Sequence, residues 1–291
     1  MARTKATSSG LKKSPSTSSS APATTGGDNY WFLSTRPLHS AVLLIPLVLM
    51  YELGAVFFLT DYATGQQSTI SARKLISQFF DSFGAAALYL PGIAVITVML
   101  VMHVVNRDRW ILRPWVLVGM VLESALWALP LIVFASVVTK ASLLNIDISS
   151  LAAAVGSGTA GGVRTHADPN AVLGGMSVPA RLTIAIGAGL YEELLFRFVA
   201  ITALHMVVKD LLQGGETAAR VVAIVGSALA FAFYHPLHDP LDPSQTFLWS
   251  RLIFFAGAGV FFACITIFRG FGIVVYTHAI YDIIVLVVLS K

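Results

Sequence analysis

Tyr191-Glu192-Glu193-Leu194-Leu195-Phe196-Arg197 sets two carboxylates and a guanidinium inside a run, from about Leu182 to Val208, that is otherwise apolar enough to cross a bilayer. Ionised groups at membrane depth cost at least roughly 2.5–3.5 kcal/mol each on insertion scales, so their presence points to function. On a helix, Glu193 and Arg197 are four residues apart, share a face and can neutralise each other. Glu192 points about 100° away around the axis. One carboxylate is thereby left without a partner in its own helix, and what it faces decides the reading.

The rest of the composition agrees with a membrane setting. Of 291 residues 56% are hydrophobic and only 12% charged, against roughly a quarter charged in soluble domains. Mean hydropathy is +0.78. The expected fold class is all-α: a polytopic integral membrane helix bundle with about seven transmembrane helices, or eight if a re-entrant or surface helix is counted. The formal charge of +4 resides largely in the N-terminal tail and short connections. That distribution suits membrane lipid headgroups as partners and gives no basis for nucleic acid. The single cysteine, Cys264, excludes an intramolecular disulfide and a multi-cysteine zinc site.

Residues 1–29 are rich in Ser, Thr, Ala and Lys and are expected to form a disordered basic tail. They carry no apolar core of a cleavable signal peptide. Residues 30–175 are expected to hold the N-terminal transmembrane segments. Trp31, Phe32 and Arg36 form an interfacial anchor, and Leu38 to Leu59 is long enough to span, with Pro46 as a kink. Glu52, near the far end of that span, could snorkel or join a polar cluster, and snorkelling is the favoured reading. Leu75, Ile76, Phe79 and Phe80 recur at helical spacing with Arg73, Lys74 and Asp81 around them, the pattern of an amphipathic surface helix. Further spans are expected over about Phe83–Val105 and Trp115–Val138. Glu123, in the latter, could be an acid that supports the site, but pairing with a neighbouring helix or filling a polar spot within the protein is the favoured expectation. Residues 140–177, with His166, form a long Gly/Ser/Asn-rich connection.

Residues 176–291 are expected to form the catalytic unit. Gly187 and Gly189 precede the acidic motif and permit close helix approach. A span from about Thr217 to Tyr234 ends in Phe231-Ala232-Phe233-Tyr234-His235-Pro236, where Phe231 and His235 share a face. Another covers about Phe247 to Phe268. After a tight turn at Arg269-Gly270-Phe271-Gly272, the last span carries His278 and Asp282, again four apart. Three apolar segments thus each present polar groups at helical spacing, and such groups tend to face the bundle interior and one another.

Glu192-Glu193-x-x-x-Arg197, Phe231-x-x-x-His235 and His278-x-x-x-Asp282, in this order on successive hydrophobic segments, resemble the three motifs of the CPBP (CAAX protease and bacteriocin-processing, or Abi) family. The resemblance covers about Met176 to Leu289. It implies a glutamate-dependent intramembrane endopeptidase acting on a membrane-associated protein or peptide, prenylated or not. Glu192 would be the general base that activates a water, with His235 helping to hold it. His278 and Asp282 would contact the carbonyl oxygen of the scissile bond. Glu193 and Arg197 would support them, and Phe231 would pack beside the site. The implied location is a multi-pass membrane protein, in the plasma membrane if the source is prokaryotic.

Elementary chemistry agrees. A carboxylate withdrawn from water is a stronger base near neutral pH, and a tetrahedral intermediate needs donors aimed at its oxyanion. His278 can donate from one ring nitrogen while a carboxylate on the other fixes its tautomer; Asp282 at i+4 could fill that role or act as a protonated donor. No serine lies in a G-x-S-x-G context. No cofactor is expected. A zinc-dependent metalloprotease is the chemical alternative, since Glu, His and Asp all bind zinc, but H-E-x-x-H is absent. A non-catalytic scaffold or transporter is the other alternative. Lys and Arg in the tail and in the 106–114 and 209–220 connections set the N-terminus in the cytoplasm. Strict alternation then leaves His235 near the outer end of its span and His278 near the inner end of another. A shared site therefore requires a shifted boundary, a re-entrant segment, or a tilted or broken fifth helix.

Overall fold

The computed structural model describes residues 29–61, 66–67, 71–81, 90–141, 176–235, 237 and 249–289. The N-terminal tail, most of the 140–177 connection with His166, and most of the segment after His235 lie outside the described residues. Almost every described residue is helical. A two-residue antiparallel bridge, Thr60–Asp61 with Gln66–Gln67, is the only strand pairing among them.

Helix α1 (Tyr30–Ser34) starts at Asn29, whose side chain accepts from the Phe32 N–H at 2.8 Å. Helix α2 (Pro37–Phe58) has proline in its first turn, where the missing N–H is harmless, and continues past Pro46. Helix α3 (Ser71–Asp81) follows, then α4 (Leu90–Val105) and α5 (Pro114–Ala141). The segment that carries the acidic motif is helical from Val178 to Leu211: α6 (Val178–Glu193), a π-helical stretch (Leu194–Ala200), α7 (Ile201–Met206) and a second π stretch (Val207–Leu211). Helices α8 (Glu216–Tyr234), α9 (Trp249–Arg269) and α10 (Phe271–Ile283) complete the bundle, α10 running on into a π turn at Ile284–Val288.

Among the described residues, five helical segments, at Pro37–Phe58, Pro114–Val138, Glu216–Tyr234, Trp249–Arg269 and Phe271–Val288, are long and apolar enough to cross a membrane. Helix α4 is shorter, and the acidic segment is divided by its π stretches. Side chains such as Leu122, Leu126, Val133 and Phe233 point away from the protein, as a lipid-facing surface requires. The protein is an integral, multi-pass membrane helix bundle.

Helix α10 sits at the centre, packed against α6, α5, α9 and α2. Two features bring it so close to its neighbours. A Cβ at Gly189 would lie 2.6 Å from the Ala279 nitrogen, so α6 and α10 meet nearly backbone to backbone. Gly270, at φ +90°, ends α9 and turns the chain directly into α10. Its N–H donates to Ile265 and Thr266 carbonyls at 3.2 and 3.0 Å. Glu123 pairs with Arg269 on the neighbouring helix, as expected, and with Tyr30 and Trp127 as well. Arg36 pairs with Asp108, and Arg269 donates to Ser34 at 2.9 Å. These contacts gather the start of α2, the α4–α5 connection and the α9–α10 turn at one end of the bundle. It is the arginine-rich end.

Helix α3 differs from its expected form. Leu75 and Phe79 are exposed, as a surface helix in lipid would have them, but Arg73 turns inward and is buried. The reason is Glu52, which does not snorkel: its carboxylate accepts from Arg73 Nη2 at 3.1 Å and from the Tyr191 hydroxyl at 2.7 Å.

Candidate active site

Glu192 lies in the last turn of α6 and is buried. Its Oε2 is 3.6 Å from His235 Nε2 and 4.0 Å from His278 Nε2. The unpaired acid of the sequence therefore faces one imidazole from α8 and one from α10. Both separations exceed direct hydrogen-bonding distance, and both are short enough for one small molecule to touch all three groups.

His235 follows the last residue of α8 in extended conformation (φ −86°, ψ 152°). Its Nδ1 is 2.8 Å from the Phe231 carbonyl, four residues back. A carbonyl only accepts, so Nδ1 carries the proton, and in the neutral ring Nε2 presents its lone pair toward Glu192. The ring stacks on Phe255, centroids 4.1 Å apart and 16° from parallel.

His278 is clamped from both sides. Its Nδ1 lies 2.8 Å from Glu193 Oε1, and its Nε2 lies 3.4 Å from Asp282 Oδ2. Phe262 stacks on the ring at 4.6 Å. Glu193 thus takes the orienting position on Nδ1 that the i+4 spacing had offered to Asp282. Asp282 instead shares the Nε2 side with Glu192. It is fully buried, and neither of its oxygens has an aligned hydrogen bond among the described residues.

Glu193 also meets Arg197, with Oε2 3.2 Å from Nε. The approach is close enough for an ion pair but is not an aligned hydrogen bond. The chain between them has already entered the π stretch, whose wider turn departs from the regular helix the spacing suggested. The Arg197 guanidinium lies 4.5 Å from the Phe231 ring and 5.4 Å from that of Phe262, so two aromatic faces help to hold a fully buried cation. Phe231 touches both histidines as well, its centroid 4.5 Å from His235 and 6.1 Å from His278.

All seven residues singled out in the sequence converge here. The difference in depth between the histidines is real: their stacking partners, Phe255 and Phe262, are seven residues apart on α9. Glu192 sits between the two levels and spans them, with no re-entrant segment among the described residues.

Behind Glu192 lies a polar group that sequence reasoning missed. Tyr191 bonds Glu52, its ring lies 5.0 Å from that of Tyr51, and the Tyr234 hydroxyl accepts from the Ala72 N–H at 2.8 Å. These links tie α2 and α3 to the residues next to Glu192 and His235. The one available signal was a glutamate inside an apolar run. Nothing local could pair it with a tyrosine 139 residues away. No group of three or more His, Cys, Asp or Glu among the described residues has the geometry to hold a metal ion.

Residues 174–284 match the protein-family model described as type II CAAX prenyl endopeptidase Rce1-like. This segment is similar to that family. No curated protein and no solved structure matches the chain significantly. The matched segment begins just before α6 and ends two residues past Asp282, so it contains all seven residues gathered at Glu192, while Tyr51, Glu52, Ala72 and Arg73 lie outside it. The family is one of membrane endopeptidases, which accords with a buried acid among apolar helices.

Proposed function

We propose that the protein is an intramembrane endopeptidase that cleaves a membrane-associated, CAAX-type protein with a water activated by Glu192. The observation that carries this reading is the position of the Glu192 carboxylate, within 4.0 Å of imidazole nitrogens from two other helices. A water held between Glu192 Oε2 and the His235 Nε2 lone pair gives its proton to the carboxylate as its oxygen attacks the scissile carbonyl carbon. The charge that develops on the carbonyl oxygen needs a donor. His278 Nε2 and Asp282 Oδ2 are 3.4 Å apart with no aligned hydrogen bond between them, and a proton carried by either one supplies it. Glu193, accepting from Nδ1, keeps the ring in place. As the C–N bond breaks, Glu192 returns its proton to the leaving nitrogen, and a carboxylate and an amine are released. No covalent enzyme intermediate is involved. Metal-free chemistry is part of the proposal.

The Rce1-like match favours a substrate with a prenylated cysteine near its C-terminus. Asp282 stands where prenyl-protein endopeptidases carry Asn, and this favours a second reading, processing of an unprenylated precursor peptide. Cleavage of prenylated and unprenylated peptides by the purified protein and by Glu192→Gln tests both. The proposal expects cleavage that the variant loses while remaining folded. Equal cleavage by both proteins overturns it.

A further inference from the structure

Away from Glu192, at the arginine-rich end of the bundle, a cavity of about 210 Å³ opens between the α1–α2 junction, the end of α4 and the α4–α5 connection. Its polar lining is Arg36, His39, His103, Arg107, Asp108 and Arg109. We propose that this cavity binds a phosphate group, specifically that of an anionic lipid headgroup.

Charge comes first. Arg36 is paired with Asp108 and lies over the Phe32 ring, so that carboxylate is already balanced. Arg107 and Arg109 have no ion-pair partner among the described residues, and both are exposed at the cavity. Their planar forks match phosphate oxygens in pairs. Two uncompensated guanidiniums make the cavity hostile to a cation.

The buried histidines give a second, independent indication. His103 is 1% exposed, and neither of its ring nitrogens has a hydrogen-bond partner among the described residues. His39 is equally buried; its Nε2 faces the Arg113 N–H at 3.4 Å, while its Nδ1 has no partner. A ring N–H left dry without an acceptor costs free energy, and a phosphate oxygen seated in the cavity would supply one. Asp108 Oδ2, 4.0 Å from His103 Nδ1 and itself without a hydrogen bond, is the one group that opposes an anion. Arg36 on the other oxygen and the arginines at the mouth outweigh it.

Depth selects the source of the phosphate. Trp31, Trp110 and Trp115 are largely exposed around this end, the position of an interfacial aromatic belt. Lipid phosphates lie at that level, and basic pockets between membrane helices are suited to hold them. The apolar flank of the cavity, Leu33, Leu38 and Ile111, suits the glycerol and first acyl carbons better than free solution.

The test uses full-length protein in a neutral detergent and reads binding, not cleavage, so its failure leaves the peptidase reading intact. Phosphatidic acid, phosphatidylcholine and inorganic phosphate are titrated while thermal unfolding and bound lipid are followed. Phosphatidic acid is expected to bind saturably. The double variant R107A/R109A, which removes two exposed side chains, should weaken it about tenfold or more, as loss of two charge-assisted contacts requires. The pair K209A/R220A, basic but on a different turn, should change it by less than about twofold, the scale of a surface effect. Equal loss in both pairs, no loss in the first, or equal binding of phosphatidylcholine overturns the site. Displacement of the lipid by inorganic phosphate at equal concentration overturns the lipid as the source and leaves a soluble phosphate instead.

Discussion

Glu193 holds His278 by a 2.8 Å contact from one helix to another, and Asp282, four residues from His278 on its own helix, does not occupy that ring nitrogen. The consequence is a chain of buried groups, Arg197 to Glu193 to His278, that ends beside Glu192. The two adjacent glutamates have separate tasks for a geometric reason. Successive residues on a helix point about 100° apart, so one faces the Arg197 and Nδ1 side and the other faces the gap between the two imidazoles.

Glu192→Gln keeps the shape of the side chain and removes the base. Peptide cleavage should fall by about 10²–10⁴, the usual contribution of a general base. Thermal unfolding in detergent should stay within about 0.5 kcal/mol of the parent, since no aligned partner is lost. Retained activity would remove Glu192 from the mechanism.

Glu193→Gln should behave differently. It removes the charge that balances Arg197 and weakens the hold on His278, so both stability and turnover suffer. Leaving a buried cation without its counter-charge costs about 3–5 kcal/mol. Adding Arg197→Met should recover part of that stability but not the activity, because His278 remains unclamped. Unfolding midpoints and cleavage rates for the two single variants and the double variant check this; full recovery of activity in the double variant contradicts the clamp.

Gly189→Ala inserts a methyl 2.6 Å from the Ala279 nitrogen, next to His278. Helices α6 and α10 must separate, at a cost of about 1–3 kcal/mol. Because Glu193 and His278 meet across that same contact, activity should fall further than stability alone predicts. Gly215→Ala, where an added Cβ meets nothing within 4 Å, is the control and should be near neutral. Similar behaviour of the two variants counts against close packing at Gly189.

Tyr191→Phe deletes the hydroxyl that donates to Glu52 at 2.7 Å. A hydrogen bond to a charged group is worth about 1.5–3 kcal/mol, and its loss should loosen α2 and α3 from the site helix. Increased amide exchange in residues 71–81 with cleavage reduced less than in Glu192→Gln is the expected pattern. Unchanged exchange there argues that α3 is held by other contacts.

Prolonged treatment with EDTA or phenanthroline should leave cleavage unchanged if the water is activated by Glu192 and His235 alone. Loss of activity that added zinc restores would assign the chemistry to a metal instead.

Much of this was legible in the linear chain. Apolar runs of membrane length set the fold class, because the bilayer admits only segments that satisfy their own backbone groups. Charged and imidazole side chains inside those runs marked the site, because such groups are too costly at that depth to be incidental. Helical spacing paired Phe231 with His235 and His278 with Asp282 correctly, since His278 and Asp282 lie within one helix and His235 is the residue that ends the helix of Phe231. It left Asp282 open as the partner that fixes His278 or as a donor, and it favoured snorkelling over a polar cluster for Glu52. Contacts between helices decided both. Whether Glu193 or Asp282 reaches the His278 Nδ1 depends on how closely α6 approaches α10, and Gly189 shows the allowance for that approach without stating which helix takes it up. The partners of Glu52 lie 21 and 139 residues away, on α3 and α6. Period and hydropathy describe one segment at a time, so what a helix carries was determined by sequence alone; which helix it carries it toward was decided only when the bundle closed.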